Sequence, residues 1–255
     1  MKKLITYSIT LSLCLCASAQ ASIIIADNFN DNSINSAIWA TQVVTKDSID
    51  SQDISFAESS QRLNLFIDSP PDIPNQSTIR QSLLTNVSAS VSWSATVNIT
   101  NSIDITMLPS VRIGMTVSDS TLSNFGGIYL KADDEARRLQ DADFADIPPP
   151  PIADNGTIRL NYDHLSQSLT VGYALGIGTP VVDYQTIDTS TWDDTATNGF
   201  RFHLQGTVAS TPPGLGDAYF DNFSVQSVPE PSSATLIGLG TLTLLRRKRF
   251  HKKNT

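Results

Sequence analysis

The side chains best placed for chemistry are six aspartates. Asp141, Asp143 and Asp146 sit at loop spacing, and Asp27, Asp31 and Asp221 fall in turn-rich segments near the two ends of the central span. Carboxylate oxygens so spaced are ligands for a hard cation, and calcium (Ca2+) is the cofactor they would take. Neither group has the glycine at the sixth position or the bidentate acid at the twelfth of a helix–loop–helix calcium loop. The plainer reading of both is a solvated acidic surface with turn-capping side chains. Glycoside cleavage asks for two facing carboxyl groups, one held protonated. The central span has two glutamates, Glu58 and Glu135, and Asp133, Asp134 and Glu135 are consecutive, so on a strand they would point to alternate faces. Nucleophilic chemistry has less support: there is no Gly-x-Ser-x-Gly, and the cysteines, Cys14 and Cys16, lie in the N-terminal apolar stretch. His164 falls in a turn, and His203 alternates with Phe202 and Leu204 and so points away from the core. Tyr184 and Trp192 lie in an irregular region, Gly176 to Asn198, and are the aromatic rings that would stack on a sugar, whereas Trp39 and Trp93 read as core. No catalytic set emerges, and the expectation is a protein that is not an enzyme.

The elements that would carry these residues are strands. Val91, Trp93, Ala95, Val97 and Ile99 alternate with polar residues, as do Leu63, Leu65 and Ile67, then Val111, Ile113, Met115 and Val117, then Phe200, Phe202 and Leu204. Ile158, Leu160 and Tyr162 alternate, a polar segment intervenes, and Leu169, Val171 and Tyr173 alternate again, which predicts a hairpin. Ala218, Phe220 and Val225 predict a last strand. No helical stripe interrupts this two-residue period between Ser22 and Val228. Two packed antiparallel sheets follow, an all-β sandwich over residues 22–227. Ala132 to Asp146 reads as a stiff surface loop, followed by the proline run Pro148 to Pro151, which cannot pair in a sheet.

The two ends read as addresses. Residues 1–21 have a charged start (Lys2, Lys3), an apolar stretch and a small-residue cleavage site at Ala19-Gln20-Ala21, the build of a secretory signal peptide. Residues 228–255 open with Val228-Pro229-Glu230-Pro231. An uncharged stretch at 232–245 then predicts a short transmembrane helix, and Arg246, Arg247, Lys248 and Arg249 begin a basic end (246–255), the stop-transfer pattern that stays in the cytoplasm. Without both ends the span from Ser22 to Val228 keeps 9 cations against 24 anions, a net charge of −15. Such a surface repels nucleic acid, which is excluded as a partner.

Val228, Pro229, Glu230 and Pro231, with the apolar segment and basic end behind them, resemble the PEP-CTERM sorting signal of exported bacterial proteins. The resemblance implies an exosortase-type processing enzyme as partner, transient anchorage in the inner membrane of a Gram-negative cell, and delivery to the cell surface or the extracellular matrix. It also implies association with exopolysaccharide and biofilm systems. Asp27-Asn28-Phe29-Asn30-Asp31-Asn32-Ser33 with Trp39, and Ala218-Tyr219-Phe220-Asp221-Asn222-Phe223-Ser224-Val225, resemble the opening and closing strands of concanavalin A-like jelly-roll domains. That likeness implies a jelly-roll-like sandwich whose first and last strands lie near each other. Glucanases of that group carry Glu-x-Asp-x-Glu on one strand, which is absent here. The expected function is an exported surface or matrix protein without enzymatic role, with two alternatives: a lectin-like module that binds extracellular polysaccharide, and a degenerate polysaccharide hydrolase. Replacing Pro229, Glu230 and Pro231 with alanine should leave the tail uncut and the protein in the membrane fraction, as read by cell fractionation and immunoblotting.

Overall fold

The computed structural model describes residues 21–46, 54–67, 76–103, 111–131, 135–140, 143–146, 155–192, 195–209 and 217–229. The expected signal peptide with Ala19, the tail helix, and Glu230, Pro231, Arg246, Arg247, Lys248, Arg249 and Asp141 lie outside them, while Ala21 is exposed. Among the described residues no helix is long and apolar enough to cross a membrane.

Ile23–Ser227 forms one compact unit built from two antiparallel sheets. The first sheet holds β1 (Ile23–Asp27), β3 (Ile54–Ser59), β4 (Arg62–Ile67), β6 (Trp93–Asn101), β11 (Asn155–Asp163), β12 (Ser168–Leu175), β13 (Val182–Asp188) and β15 (Ala218–Ser227). The second holds β2 (Trp39–Lys46), β5 (Gln76–Leu83), β7 (Val111–Ser118), β8 (Phe125–Lys131), β9 (Glu135–Gln140), β10 (Asp143–Asp146) and β14 (Arg201–Ala209). Strands run β13-β12-β11-β6-β15-β4-β3 in one sheet and β10-β9-β8-β7-β14-β5-β2 in the other. The crossovers between sheets are those of a jelly roll, and the expected all-β sandwich is the observed fold.

Alternation decides which face each strand buries. Trp93, Ala95, Val97 and Ile99 are wholly buried, while Ser94, Thr96 and Asn98 between them stay half-exposed. The β11–β12 hairpin matches Ile158 with Tyr173, Leu160 with Val171 and Tyr162 with Leu169, all buried. At the centre of the core Trp93 stacks on Tyr162 at 5.5 Å and meets Phe200 and Phe202 edge-on at 5.4 and 5.0 Å. Phe200 and Phe202 come from the opposite sheet or its approach, so this cluster fastens the two layers together.

The structure departs from the sequence expectations at three places. The segment expected as a loop, Ala132 to Asp146, contains β9 and β10, which extend the second sheet through Gln140–Asp143 and Arg137–Asp146 pairs. Its charges had masked the strand signal, because a strand at the edge of a sheet need not bury an apolar row. The region expected as irregular, Gly176 to Asn198, contains β13 and a single helical turn, α1 (Thr195–Asn198). Val91 lies outside β6 and is 42% exposed.

β15 is the strand on which the two ends of the unit meet. One edge pairs with β6 along its length. The other edge is shared: Tyr219 and Phe220 pair with β4, and Phe223 to Gln226 pair with β1. A bulge between Asp221 and Ser224 marks the change, with Asn222 at a φ of 52°. Trp93→Ala should cost about 3–5 kcal/mol of stability, whereas Val91→Ala should change it by less than about 0.5 kcal/mol, both read from urea denaturation.

Candidate functional site

The change of partner along β15 leaves a pocket beside the bulge, lined by Asp27, Asn28, Asp31, Asn35, Asn222 and Ser224 among others. The β1–β2 connection forms its wall. Asp27 shapes that connection: its Oδ1 accepts the Phe29 N–H at 2.9 Å and its Oδ2 accepts the Trp39 indole N–H at 2.7 Å. Phe29, with a φ of 52°, packs against Trp39 at 6.1 Å, and Trp39 meets Phe223 at 5.1 Å. Ser33 N–H is shared between Asp31 Oδ1 at 3.1 Å and Glu58 Oε2 at 2.9 Å. β3 thus reaches the loop through one carboxyl group.

Glu58 is the residue that the sequence reading missed. Ile54, Phe56 and Glu58 form the inward row of β3, and Glu58 is 7% exposed. Burial raises its pKa to about 7, helped by Asp31 and then Asp27 beside it. Asp31 moves the other way, held below its ordinary value by Glu58 and the Ser33 N–H. An acid at the third place of an inward alternation was the available signal.

Of the aspartates expected to bind calcium, Asp27, Asp31 and Asp221 have side chains that are described, and these form no metal-binding group. Asp27 and Asp31 share the pocket, but Asn222 rather than Asp221 lines it, and Asp221 Oδ2 accepts from Asn222 Nδ2 at 2.8 Å. Burial shifts the Asp221 carboxyl upward, against the ionised form a cation would need. Both Asp27 oxygens are already engaged. Asp143 and Asp146 lie on β10 rather than in a loop. Among the described residues no three His, Cys, Asp or Glu side chains form a group able to hold a metal ion.

The aromatic residues expected to stack on sugars are also placed differently. Trp192 is 5% exposed and meets Phe200 edge-on at 6.0 Å, because the turn after β13 folds it into the core. Tyr184 is half-buried on β13 and packs against the core. Trp39 and Trp93 are core residues, and His164 sits in the β11–β12 turn, its Nδ1 3.1 Å from Ser92 Oγ.

A second face, most of whose polar residues are buried, carries more polar chemistry. On the second sheet, Phe202, Leu204 and Val208 face the core, so His203, Gln205 and Thr207 take the outward face. The register sets Ser82, Arg80 and Thr78 of β5 opposite them on one side and Thr116, Gly114 and Arg112 of β7 on the other. Beyond these stand Gly127 and Tyr129 of β8, while Arg201 pairs with Ser118, itself opposite Phe125. Gly114 has no room for a Cβ, since Tyr129 lies across it. Arg80 lays its guanidinium 5.2 Å from the Phe125 ring centre and donates from Nε to Gln205 Oε1 at 2.8 Å. His203 is fully buried between Ser82 Oγ at 2.7 Å and Ser118 Oγ at 2.9 Å. Ser118 spends its proton on the Asp119 carbonyl, so it accepts from His203 Nε2–H and leaves Nδ1 to accept from Ser82. Burial, with Arg80 and Arg201 nearby, pushes His203 down to about 3, and it stays neutral. Further along the sheet the register sets Glu135 opposite Lys131 and Asp146 opposite Arg137.

Comparison with known proteins gives two findings. Residues 227–249 match the PEP-CTERM protein-sorting motif. No curated protein matches the chain in sequence. Among solved structures, the fold is similar to an endo-1,3-β-glucanase from Streptomyces sioyaensis, with 11% identity and a TM-score of 0.57 over 84% of this chain and 99% of that one. It is similar also to an endo-acting O-glycanase of the human gut microbiota, at 8% identity and a TM-score of 0.56 over 82% and 100%. Lectin II from Ulex europaeus follows at 8% identity and a TM-score of 0.52, over 82% and 100%. At such identities the likeness is one of fold, the concanavalin A-like jelly roll of lectins and glucanases.

Because the folded-state pKa of Glu58 is raised, the native protein holds that proton more tightly than the unfolded chain. Its contribution is fully present below pH 4.5 and is lost as pH rises to about 7. Urea midpoints should fall across that window, and Glu58→Gln, which keeps an acceptor for Ser33 N–H, should flatten the slope.

Proposed function

We propose that this chain is an exported protein, sorted to the cell surface or matrix through its C-terminal motif, whose sandwich domain binds an extracellular polysaccharide without cutting it. The sorting motif at 227–249 supports export and passage through an exosortase-type enzyme, with the inner membrane as a transient station. The observation that carries the binding reading is the outward face of the second sheet. It carries guanidinium and aromatic groups that are half-exposed, Arg80, Arg201 and Phe125, above buried amide and hydroxyl groups, a set of the kind that holds sugar hydroxyls and ring faces. Hydrolysis of a glycoside by the usual route needs two carboxyls across one bond. The lectin-like fold is compatible with this reading, and residence in a biofilm matrix would follow from the ligand.

A polysaccharide hydrolase is the second reading, and Glu58 is what favours it. A carboxyl held partly protonated near neutrality, with Asp31 beside it, has the property of a general acid. Its burial and its bond to the Ser33 N–H count instead for a structural post. Incubation with a polysaccharide panel, with and without calcium, separates the two. The expected result is saturable binding of one glycan, unaltered by chelation, with no new reducing ends. Reducing ends that vanish in Glu58→Gln would install the hydrolase reading instead.

A further inference from the structure

The large apolar side chains left on the surface of the sandwich are not spread evenly. Register places five of those exposed among the described residues, Ile23, Ile24, Leu84, Val91 and Leu165, at one end. Ser227 pairs with Trp93, Trp93 with Tyr162 and Tyr162 with Leu169, so these four mark that end of the first sheet. Val91 lies two residues before Trp93, and Leu165 stands in the β11–β12 turn just beyond Tyr162. Ile23 opens β1 opposite Gln226, with Ile24 beside it. On the second sheet Phe200 touches Trp93 and Tyr162, and Leu84 lies beyond Ser82, which pairs with His203, on the side toward Phe200. Phe66, Ile177 and Val182, also exposed, lie toward the other end: Ile177 is in the β12–β13 turn, Val182 is opposite Tyr173, and Phe66 is on the part of β4 beyond its pair with Tyr219. Apolar side chains scattered singly over a surface need no explanation, but their gathering at one end does.

The same end is where the chain leaves the sandwich. Val228 follows β15 directly and opens the sorting motif, and the uncharged segment begins at Ser232, five residues after Ser227. Five residues reach about 17 Å at most. Pro229 and Pro231 favour extended backbone, so the spacer is short and stiff. The headgroup layer on one side of a bilayer takes roughly 5–7 Å of that reach. With the uncharged segment in a membrane, this end of the domain is therefore held within about 12 Å of the headgroups. Charge does not draw it closer. The central span is at −15, and Asp163 and Asp188, exposed at this end, accept from the N–H groups of Leu165 and Ser190 in their own turns. Attraction is left to the apolar side chains, and from Ile23 to the β11–β12 turn these spread over three strand spacings, roughly 14 Å. A tether raises the effective concentration of the surface it is fixed to, so a few shallow contacts suffice while it lasts.

Resting on the sorting reading above, we infer that this end of the sandwich is a membrane-contact surface. While the tail is uncut, Ile23, Val91 and Leu165, with Ile24 and Leu84 beside them, rest in the headgroup layer of a phospholipid bilayer and hold the sorting motif against it. Removal of the tail removes the tether. The remaining contacts are few and the domain is acidic, so the cut chain leaves the membrane.

The test uses the full, uncut chain with Cys14 and Cys16 replaced by serine, reconstituted into nanodiscs of phosphatidylcholine and phosphatidylethanolamine. A polarity-sensitive fluorophore is attached to a single cysteine introduced by Leu165→Cys or, as the distant control, by Ile177→Cys. Both positions are exposed, so neither change should disturb the fold. A second set of discs carries a nitroxide quencher at headgroup depth. The inference expects a blue shift and loss of emission at position 165 and neither at 177. A Gly/Ser insertion of about 20 residues between Ser227 and Val228 lets the domain drift roughly 25 Å away. Part of the quenching at 165 should survive that insertion, and Ile23→Ser with Val91→Ser should abolish what survives. Complete loss on insertion alone would overturn the inference, since the tether and not the apolar side chains would then have held the domain there. Equal quenching at 165 and 177, or none at either, would also overturn it and leave the sorting reading standing. If alkaline carbonate strips the uncut chain from cell membranes, the sorting reading fails with it.

Discussion

Everything in this domain depends on one apolar layer closed from both sides by strands that alternate. Trp93 is its fixed point. It is wholly buried, stacks on Tyr162 within its own sheet and meets Phe200 and Phe202 from the opposite side. A side chain so enclosed cannot slip by one residue without turning every apolar group of β6 outward. Register is therefore fixed through the core, and through register the positions of the polar residues on the far faces are fixed too. The placing of the second sheet's arginines is a by-product of core packing: Arg80, Arg112 and Arg201 each precede or follow a residue that the core requires.

The closing of the unit creates the second feature. β15 gives half of one edge to β4 and half to β1, and the bulge at Asn222 absorbs the change of partner. The β1–β2 connection then has to cross that gap. Asp27 anchors it by two hydrogen bonds, and Glu58 supports it from β3. Three acids gather there because the loop's N–H groups need acceptors, and burial, helped by Asp31 and Asp27, raises the pKa of Glu58. Side chains occupied in this way have little left for a cation, which is why the acidic pocket is not a metal centre by composition alone.

Charge is arranged differently on the two sheets. Arginines on the first sheet, Arg62 and Arg159, are neutralised in pairs that lie near the surface and contribute little to stability. On the second, Arg80 rests on the Gln205 amide and the Phe125 ring, and Arg201 on the Asn86 amide.

The sequence alone determined the C-terminal sorting motif and the fold class. The tail was legible because proline, apolar run and cations follow in a fixed order, and the sandwich because a two-residue period is written directly into Trp93 to Ile99, Val111 to Val117 and Phe200 to Leu204. The last two strands of the second sheet, β9 and edge strand β10, were not legible, since their closely spaced charges read as a loop. Trp192 was misleading for the converse reason: a turn-rich neighbourhood suggested exposure, and only the path of the chain after β13 brought the ring against Phe200. Tertiary structure alone decided the site. Arg80, Arg112 and Arg201 are far apart in sequence, and nothing local distinguishes them from Arg62 and Arg159. Their meeting on one face arises from strand order and register, which are properties of long-range pairing and cannot be read from any single stretch.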